Sequence, residues 1–414
     1  MKIVLAHKFY RSVGGTEEFI RQLSDLLESH GHTVVPFAMQ HPDNWPTPYE
    51  RYFVPAIDYR ANLSGRKRIA RAIGAVPRVL YWPEARRRFD SLLSEVEPDV
   101  VHIQSIAHQI SPSILYAATK RRIPIVQTVN DYKLVCPATA LLNGRTKATC
   151  TKCLTGAFWH AAADRCQDES GSASALVAAE MYLHHRVLRV YEKNVRRFLV
   201  ENETRRGLLI RGGIPTERID VLAQPFDASD YEELPFEGDR FLYFGRLDPD
   251  KGVELLIEAA GAIGAGVDIV GRGTETERLQ ELANDRAPGL IAFHGAVYGN
   301  DLVPLARRCI ATVLPSRQME GTPYAVLQSF AWGRGVVATD VGALPEIIRD
   351  ESSGIIVRAG RADLLAIALG RIRSDPPTAR RLGATARQQV LKDNAPERYY
   401  RLLLDAYVRA GVTI

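Results

Sequence analysis

Short apolar runs alternate with helical stretches along almost the whole chain, and this alternation constrains the fold more than any other feature. Lys2–Ala6 is β-rich, and Phe19, Ile20, Leu23, Leu26 and Leu27 then recur at helical spacing until Gly31. Thr33–Phe37, Asp99–Ile103, Ile125–Val129 and Phe198–Val200 read as further strands, two of them preceded by Pro98 and Pro124. The second half repeats the grammar. Runs at Phe241–Phe244, Val267–Val270, Leu290–Phe293, Ala311–Leu314, Gly335–Ala338 and Gly354–Val357 are separated by helical stretches such as Val253–Ala262, Glu275–Asn284 and Ala325–Trp332. Continuous apolar runs between helices mean buried parallel strands. The pattern therefore predicts two doubly wound, Rossmann-like α/β domains in one chain.

The chain has 414 residues, too many for one ordinary core. Residues 1–222 form the expected first domain, with a Cys-rich insertion at 136–166. Residues 223–393 form the second, joined through the turn-rich stretch Ala223–Asp239. A terminal helix at 394–414 is expected to pack back on the first domain. With 46% hydrophobic and 24% charged residues, the composition excludes disorder, coiled coil and collagen. The amino-terminal apolar run is too short for a secretory signal, and no run reaches membrane-spanning length. The expected location is the cytoplasm.

Doubly wound domains carry their ligands at the carboxyl ends of the strands, and two facing domains leave a cleft between them. Three stretches occupy such positions. The first, Pro315 to Gln328, reads PSRQMEGTPYAVLQ. Thr322 suits a helix N-cap and Pro323 the first helical position, while Tyr324 and Gln328 share a face. The second is Phe244 to Gly252, FGRLDPDKG, where Arg246 and Lys251 could clamp a diphosphate. The third is Gly14-Gly15-Thr16, which allows a close backbone approach to a phosphate but is not a P-loop. Alone, the first reads better as a surface loop with a capped helix and the second as a pair of solvated cations, while the third reads equally well as a plain turn.

Taken together and in this order, the motifs resemble the family-4 retaining glycosyltransferases of the GT-B fold, the group 1 type that uses nucleotide-sugars. The GGT loop, VVHIQS at Val100–Ser105, TVNDY at Thr128–Tyr132, FGRLDPDKG, EGTPYAVLQ and VGALPE at Val341–Glu346 carry the resemblance. It implies two Rossmann-like doubly wound domains facing across a cleft. It also implies transfer of a sugar from a UDP- or GDP-linked donor to a hydroxyl acceptor, lipid-linked or glycan, in bacterial cell-envelope, polysaccharide or glycolipid synthesis. Under the resemblance Arg246, Lys251, Glu320 and Asn130 are the catalytic set. Gly14, Gly15, Gly245, Gly271, Gly273, Gly321, Thr322, Pro323, Tyr324 and Gln328 would bind the donor. No catalytic metal is expected. Two positions depart from the family pattern: Gln328 stands for a second Glu and Asn130 for a His. They leave open a catalytically weak sugar-nucleotide-binding partner subunit, with an epimerase of the same fold as a further alternative.

Two other segments stand apart. Cys136, Cys150, Cys153 and Cys166 are separated by 13, 2 and 12 residues. A Cys-x2-Cys pair flanked by two more thiols suits tetrahedral zinc, with an iron–sulfur cluster, free thiols and disulfides as alternatives. Cys309 is isolated and reads as a core residue. Residues 1–222 carry 31 Lys and Arg against 22 Asp and Glu, and nine of those cations but one acid lie in 60–88. This localised surplus argues against a nucleic-acid partner. With Ile69, Ile73, Val76, Tyr81 and Trp82 among the cations, 60–88 suits an anionic membrane surface or, equally, a basic helix whose apolar stripe faces the core.

Overall fold

The computed structural model describes residues 1–56 and 78–413. They divide into two units. The first comprises Met1–Val200, Arg206–Leu222 and Tyr400–Ile414; the second comprises Glu201–Arg205 and Ala223–Tyr399.

The first unit is built on six parallel strands: β1 (Lys2–Ala6), β2 (Thr33–Phe37), β3 (Val100–Ile103), β4 (Ile125–Thr128), β5 (Arg197–Val200) and β6 (Ile219–Val221), in the order β2-β1-β3-β4-β5-β6. Ile3, Val4 and Ala6 of β1 are wholly buried, as a strand covered on both faces requires. The helix Gly15–Ser29 turns Phe19, Ile20, Leu23 and Leu27 inward. The helix Pro396–Ala410 returns to this unit, and its Tyr407 hydroxyl meets His102 Nδ1 of β3 at 2.8 Å. Tyr400 adds a 2.7 Å contact to His32 and stacks on His30. The strand β6 escaped the sequence reading: Ile-Asp-Val is too short and polar to register as an apolar run.

The second unit repeats the plan with β7 (Arg240–Phe244), β8 (Val267–Val270), β9 (Ile291–Phe293), β10 (Cys309–Leu314), β11 (Val336–Thr339) and β12 (Gly354–Val357), in the order β12-β11-β10-β7-β8-β9, all parallel. Alternate residues of β7 feed different cores. Phe241 and Tyr243 join Leu256, Ile257 and Ala260 of the helix Val253–Ile263, whereas Leu242 joins Leu302, Leu305 and Trp332. Cys309 is buried in the latter core.

The fully buried Arg334 fastens the entering chain to this unit. Its guanidinium donates to the carbonyls of Leu234, Pro235, Ala306 and Cys309 and lies 4.0 Å from the centre of the Phe236 ring. Among the described residues no helix is long and apolar enough to cross a membrane.

Candidate active site

In the second unit the chain leaves β7 toward β8 and β9 on one side and later places β10, β11 and β12 on the other. The strand order therefore reverses between β7 and β10, where an open α/β sheet opens a ligand crevice at its carboxyl edge. The loops after these two strands carry FGRLDPDKG and PSRQMEGTPY. Lys251 Nζ from the first lies 2.7 Å from Glu320 Oε1 of the second. Ser316 Oγ also donates to Glu320 Oε1, at 2.7 Å.

Backbone contacts hold these loops together. Arg317 N donates to the Asp250 carbonyl at 2.8 Å. Gly252 has φ +65°, and a Cβ there would fall 2.1 Å from the Pro315 carbonyl oxygen. The loop after β8 closes the other side. A Cβ on Gly271, at φ +142°, would lie 1.8 Å from the Gly245 oxygen, and one on Gly273 would lie 2.2 Å from the Leu247 oxygen. A Cβ on Gly321 would meet only the side-chain ends of Glu201 and Arg205. Gly252, Gly271 and Gly273 need glycine for close backbone approach.

Arg246 points outward with its side chain 67% exposed, paired with Asp248 and, at 3.5 Å, with Asp250. Asp248 accepts from Thr274 N and Oγ1 at 3.0 and 3.1 Å, and the Thr274 backbone contact first, then its hydroxyl and Arg246, hold its carboxyl below the ordinary range. Tyr243 Oη donates to the Arg246 carbonyl at 2.6 Å. Burial, then the charges of Glu320 and Asp250, push that phenol's pKa up, so it remains a donor at neutral pH.

One local expectation is corrected. The helix runs Tyr324–Ala331 and its cap is Pro323, with ψ 129°, so Thr322 is not the N-cap and Pro323 is not the first helical residue. The extended ψ of Pro323 delays the first turn by one residue. Tyr324 therefore opens the helix, and Gln328 stands one turn on, half-buried.

In the first unit the strand order reverses between β1 and β3. Gly14, with extended backbone, caps the helix that begins at Gly15, and both glycines are exposed. Behind them Glu17 Oε1 sits 2.9 Å from His7 Nε2 in a buried pair. After β4, Asn130 Nδ2 donates to Gln104 Oε1, and Asp131 accepts from Ser105 Oγ at 2.9 Å and from Lys133 N at 2.9 Å. A cavity of about 10 Å³ lies among Gln104, Gln127, Asn130, Asp131 and Tyr191, room for one water at most. Beneath it Lys133 Nζ lies 2.7 Å from Glu180 and 2.9 Å from His108. Burial works against the charge of Glu180, but Lys133 and His108 outweigh it and hold the carboxyl down to about 2.

Sequence reasoning missed Tyr243, Asp248, Asp250, Lys133 and Glu180 as supports of these loops. Asp248 and Asp250 were inside a quoted motif, but nothing in the linear order distinguishes a carboxylate that orients an arginine from a solvated one. The Lys133–Glu180 pair spans 47 residues and leaves no local signal.

Comparison with known proteins gives this geometry a family. Residues 13–230 match the model described as Glycosyltransferase Family 4, more than half of the chain, and residues 238–375 match that of Glycosyl transferases group 1. The chain belongs to glycosyltransferase family 4. It is 28% identical over 375 residues to a phosphatidyl-myo-inositol mannosyltransferase of Mycolicibacterium smegmatis, covering 87% of this chain and 82% of that one. A D-inositol 3-phosphate glycosyltransferase of Acidothermus cellulolyticus is 33% identical over 154 residues, 34% of each chain. Sucrose-phosphate synthase of Thermosynechococcus elongatus has a similar structure, with a TM-score of 0.68 at 18% identity over 99% of this chain and 98% of that one. So does Anabaena HepE in complex with UDP, with a TM-score of 0.66 at 15% identity over 99% and 100%. The two six-stranded sheets and these neighbours make the fold GT-B, and the relatives make the chain a glycosyltransferase.

Two expectations stand outside what these observations reach. Ile69, Ile73 and Val76 of the basic segment lie outside the described residues. In its described part Val79 and Trp82 are buried, and Arg78 stacks over Trp82. Cys136, Cys150, Cys153 and Cys166 carry free thiols. Among the described residues no three His, Cys, Asp or Glu side chains are placed so as to hold a metal ion.

Proposed function

We propose that this glycosyltransferase moves a sugar from a nucleoside-diphosphate sugar to a hydroxyl acceptor with retention of configuration. The observation that carries the reading is the Lys251–Glu320 contact at the reversal between β7 and β10. It sets one cation and one hydrogen-bonding carboxylate at the edge where such sheets bind ligands. The sugar–phosphate bond breaks, a bond to the acceptor oxygen forms on the same face, and the departing phosphate takes the acceptor's proton. Negative charge grows on the diphosphate, and Lys251 and Arg246 stabilise it. Two unit charges 4 Å apart interact by about 4 kcal/mol at an effective dielectric of about 20. The diphosphate displaces Asp248 and Asp250 from the exposed Arg246, while Glu320, freed from Lys251, holds hydroxyls of the donor sugar. The glycines after β7 and β8, and Gly14 and Gly15 in the first unit, let backbone approach the nucleotide. Thr322, Pro323 and Tyr324 line the donor at the start of the helix, and Gln328 meets the ribose through an uncharged amide. Asn130 contacts the donor sugar.

The donor nucleoside is uridine or guanosine. HepE was solved with UDP, and a relative from Mycobacterium tuberculosis, 31% identical over 159 residues, is named as GDP-mannose-dependent. The name of the mycolicibacterial relative supports a lipid-linked acceptor.

A panel of UDP-, GDP- and dTDP-sugars tests the reading. One donor should raise the melting temperature and be consumed in transfer or slow hydrolysis. Lys251→Ala should lower kcat/KM by roughly 100-fold or more while the chain stays folded. Full activity in Lys251→Ala and Arg246→Ala sinks the site. Stabilisation by a donor with no turnover under any acceptor favours the partner-subunit alternative that Asn130 and Gln328 raise.

A further inference from the structure

We propose that Cys136, Cys150, Cys153 and Cys166 bind a structural zinc ion through four thiolates, fixing the segment from 136 to 170 of the first unit. The backbone already gathers these residues around one short hairpin. Leu142 pairs with Thr149 in antiparallel fashion, and Cys150 N donates to the Leu141 carbonyl at 2.7 Å, which returns Cys150 beside Leu141. Cys136 lies at the same residue from the other side: it opens a turn closed by Thr139 N at 3.1 Å, and the N–H groups of Leu141 and Ala138 face its sulfur. The hairpin rests on the stretch of chain leading to the fourth cysteine. A Cβ on Gly144 would lie 2.3 Å from the Arg165 oxygen, and Gly144 N–H faces the Cys166 sulfur. Cys153 and Cys166 pack on one small apolar cluster with Phe158 and Ala161.

Two further features point to a ligand. No disulfide joins these thiols, and peptide N–H groups face three of the four sulfurs. Lys133 and Lys152 lie within electrostatic reach and offset the charge that four thiolates would bring. The segment is also strained. Of twelve non-glycine residues with positive φ among the described residues, six lie between 139 and 169: Thr139, Leu141, Lys147, Arg165, Asp168 and Glu169. Left-handed backbone is unfavourable for such side chains, and most of all for β-branched Thr139. It persists where the surroundings over-determine it. The local apolar cluster of Cys153, Phe158, Ala161, Ala178 and Met181 is small for that task, and a metal crosslink supplies the remainder. Four soft ligands with a Cys-x2-Cys pair suit tetrahedral zinc. Among the described residues no three side chains stand so as to hold a metal ion, so binding requires the thiols to turn toward a common centre.

Elemental analysis of the full-length, tag-free protein, purified under reducing conditions without chelator, tests this independently of the transferase reading. About one zinc per chain is expected. A mercurial should release it in step with thiol modification, and cobalt exchanged into the site should show thiolate charge-transfer and tetrahedral d–d bands. Chelation of the wild-type protein should make four further thiols reactive and open 136–170 to protease. Cys150→Ser/Cys153→Ser should lose the metal and Cys309→Ser should keep it. The wild-type measurements stand even where the double variant fails to fold. Substoichiometric zinc with freely reactive thiols, iron in place of zinc, or zinc retained by a folded double variant overturns the assignment.

Discussion

At the residue scale, the second unit's crevice is shaped as much by missing atoms as by charged ones. Gly271 combines φ +142° with a backbone oxygen where its Cβ would stand. Gly271→Ala should therefore destabilise the second unit by about 2–4 kcal/mol and weaken donor binding together. A thermal melt and a donor titration on the same variant check this, and an alanine variant with unchanged melting would show that the loop relaxes freely. The residues proposed to confront the ligand were legible, because Arg246, Lys251 and Glu320 sit in motifs that leave strands and enter helices. Their supports were not. Tyr243 acts through its hydroxyl on the Arg246 carbonyl, yet in sequence it is one more apolar residue in a strand. Asn130 illustrates the opposite limit: the sequence raised it as a departure from a family pattern, and only coordinates show its amide engaged by Gln104.

At the scale of elements, the strands could be read because burial on both faces forces continuous apolar runs. Boundaries drifted by a residue or two, as at β3 and β10. The start of the helix Tyr324–Ala331 was misplaced because Pro323 satisfies the statistics of a first helical residue while its ψ is extended. Contacts across long separations were invisible. Glu346, quoted within VGALPE, accepts from Glu203 N at 2.7 Å and Thr204 N at 3.0 Å and so caps the helix Glu203–Arg211. Glu346→Ala should cost about 1 kcal/mol and speed amide exchange in the first turn of that helix. Unchanged exchange at 203–206 would show the cap to be dispensable. Arg334 is more consequential. Arg334→Leu fills the space with apolar atoms but strands several buried carbonyls, and should cost about 3–5 kcal/mol in a denaturant melt of the second unit. A loss below about 1 kcal/mol would mean that water takes over its role.

For the whole molecule, the terminal helix sets an acid limit. His102 is wholly buried between Thr128 and Tyr407, and burial pushes its pKa down to about 3. The unfolded chain, with a histidine near 6.5, binds this proton first. The stabilisation is therefore complete above about pH 6.5 and falls as the pH drops toward 3, by on the order of 1 kcal/mol per pH unit. The first unit should melt earlier at pH 5.0 than at pH 7.5, and His102→Gln should flatten that dependence. An equally steep profile in the variant would place the acid sensitivity elsewhere, with Glu180 contributing only below its ordinary carboxylate range.

The tail also bears on how such a chain can be recombined. Tyr400–Ile414 belongs with the sheet of β1 to β6, and Glu201–Arg205 with the sheet of β7 to β12. A single crossover after Leu222 would therefore graft a stranger's tyrosines onto this chain's His32 and His102. Exchanging the sheet of β7 to β12 between relatives needs a second junction near Tyr399, so that the sheet of β1 to β6 keeps the terminal helix it was selected with.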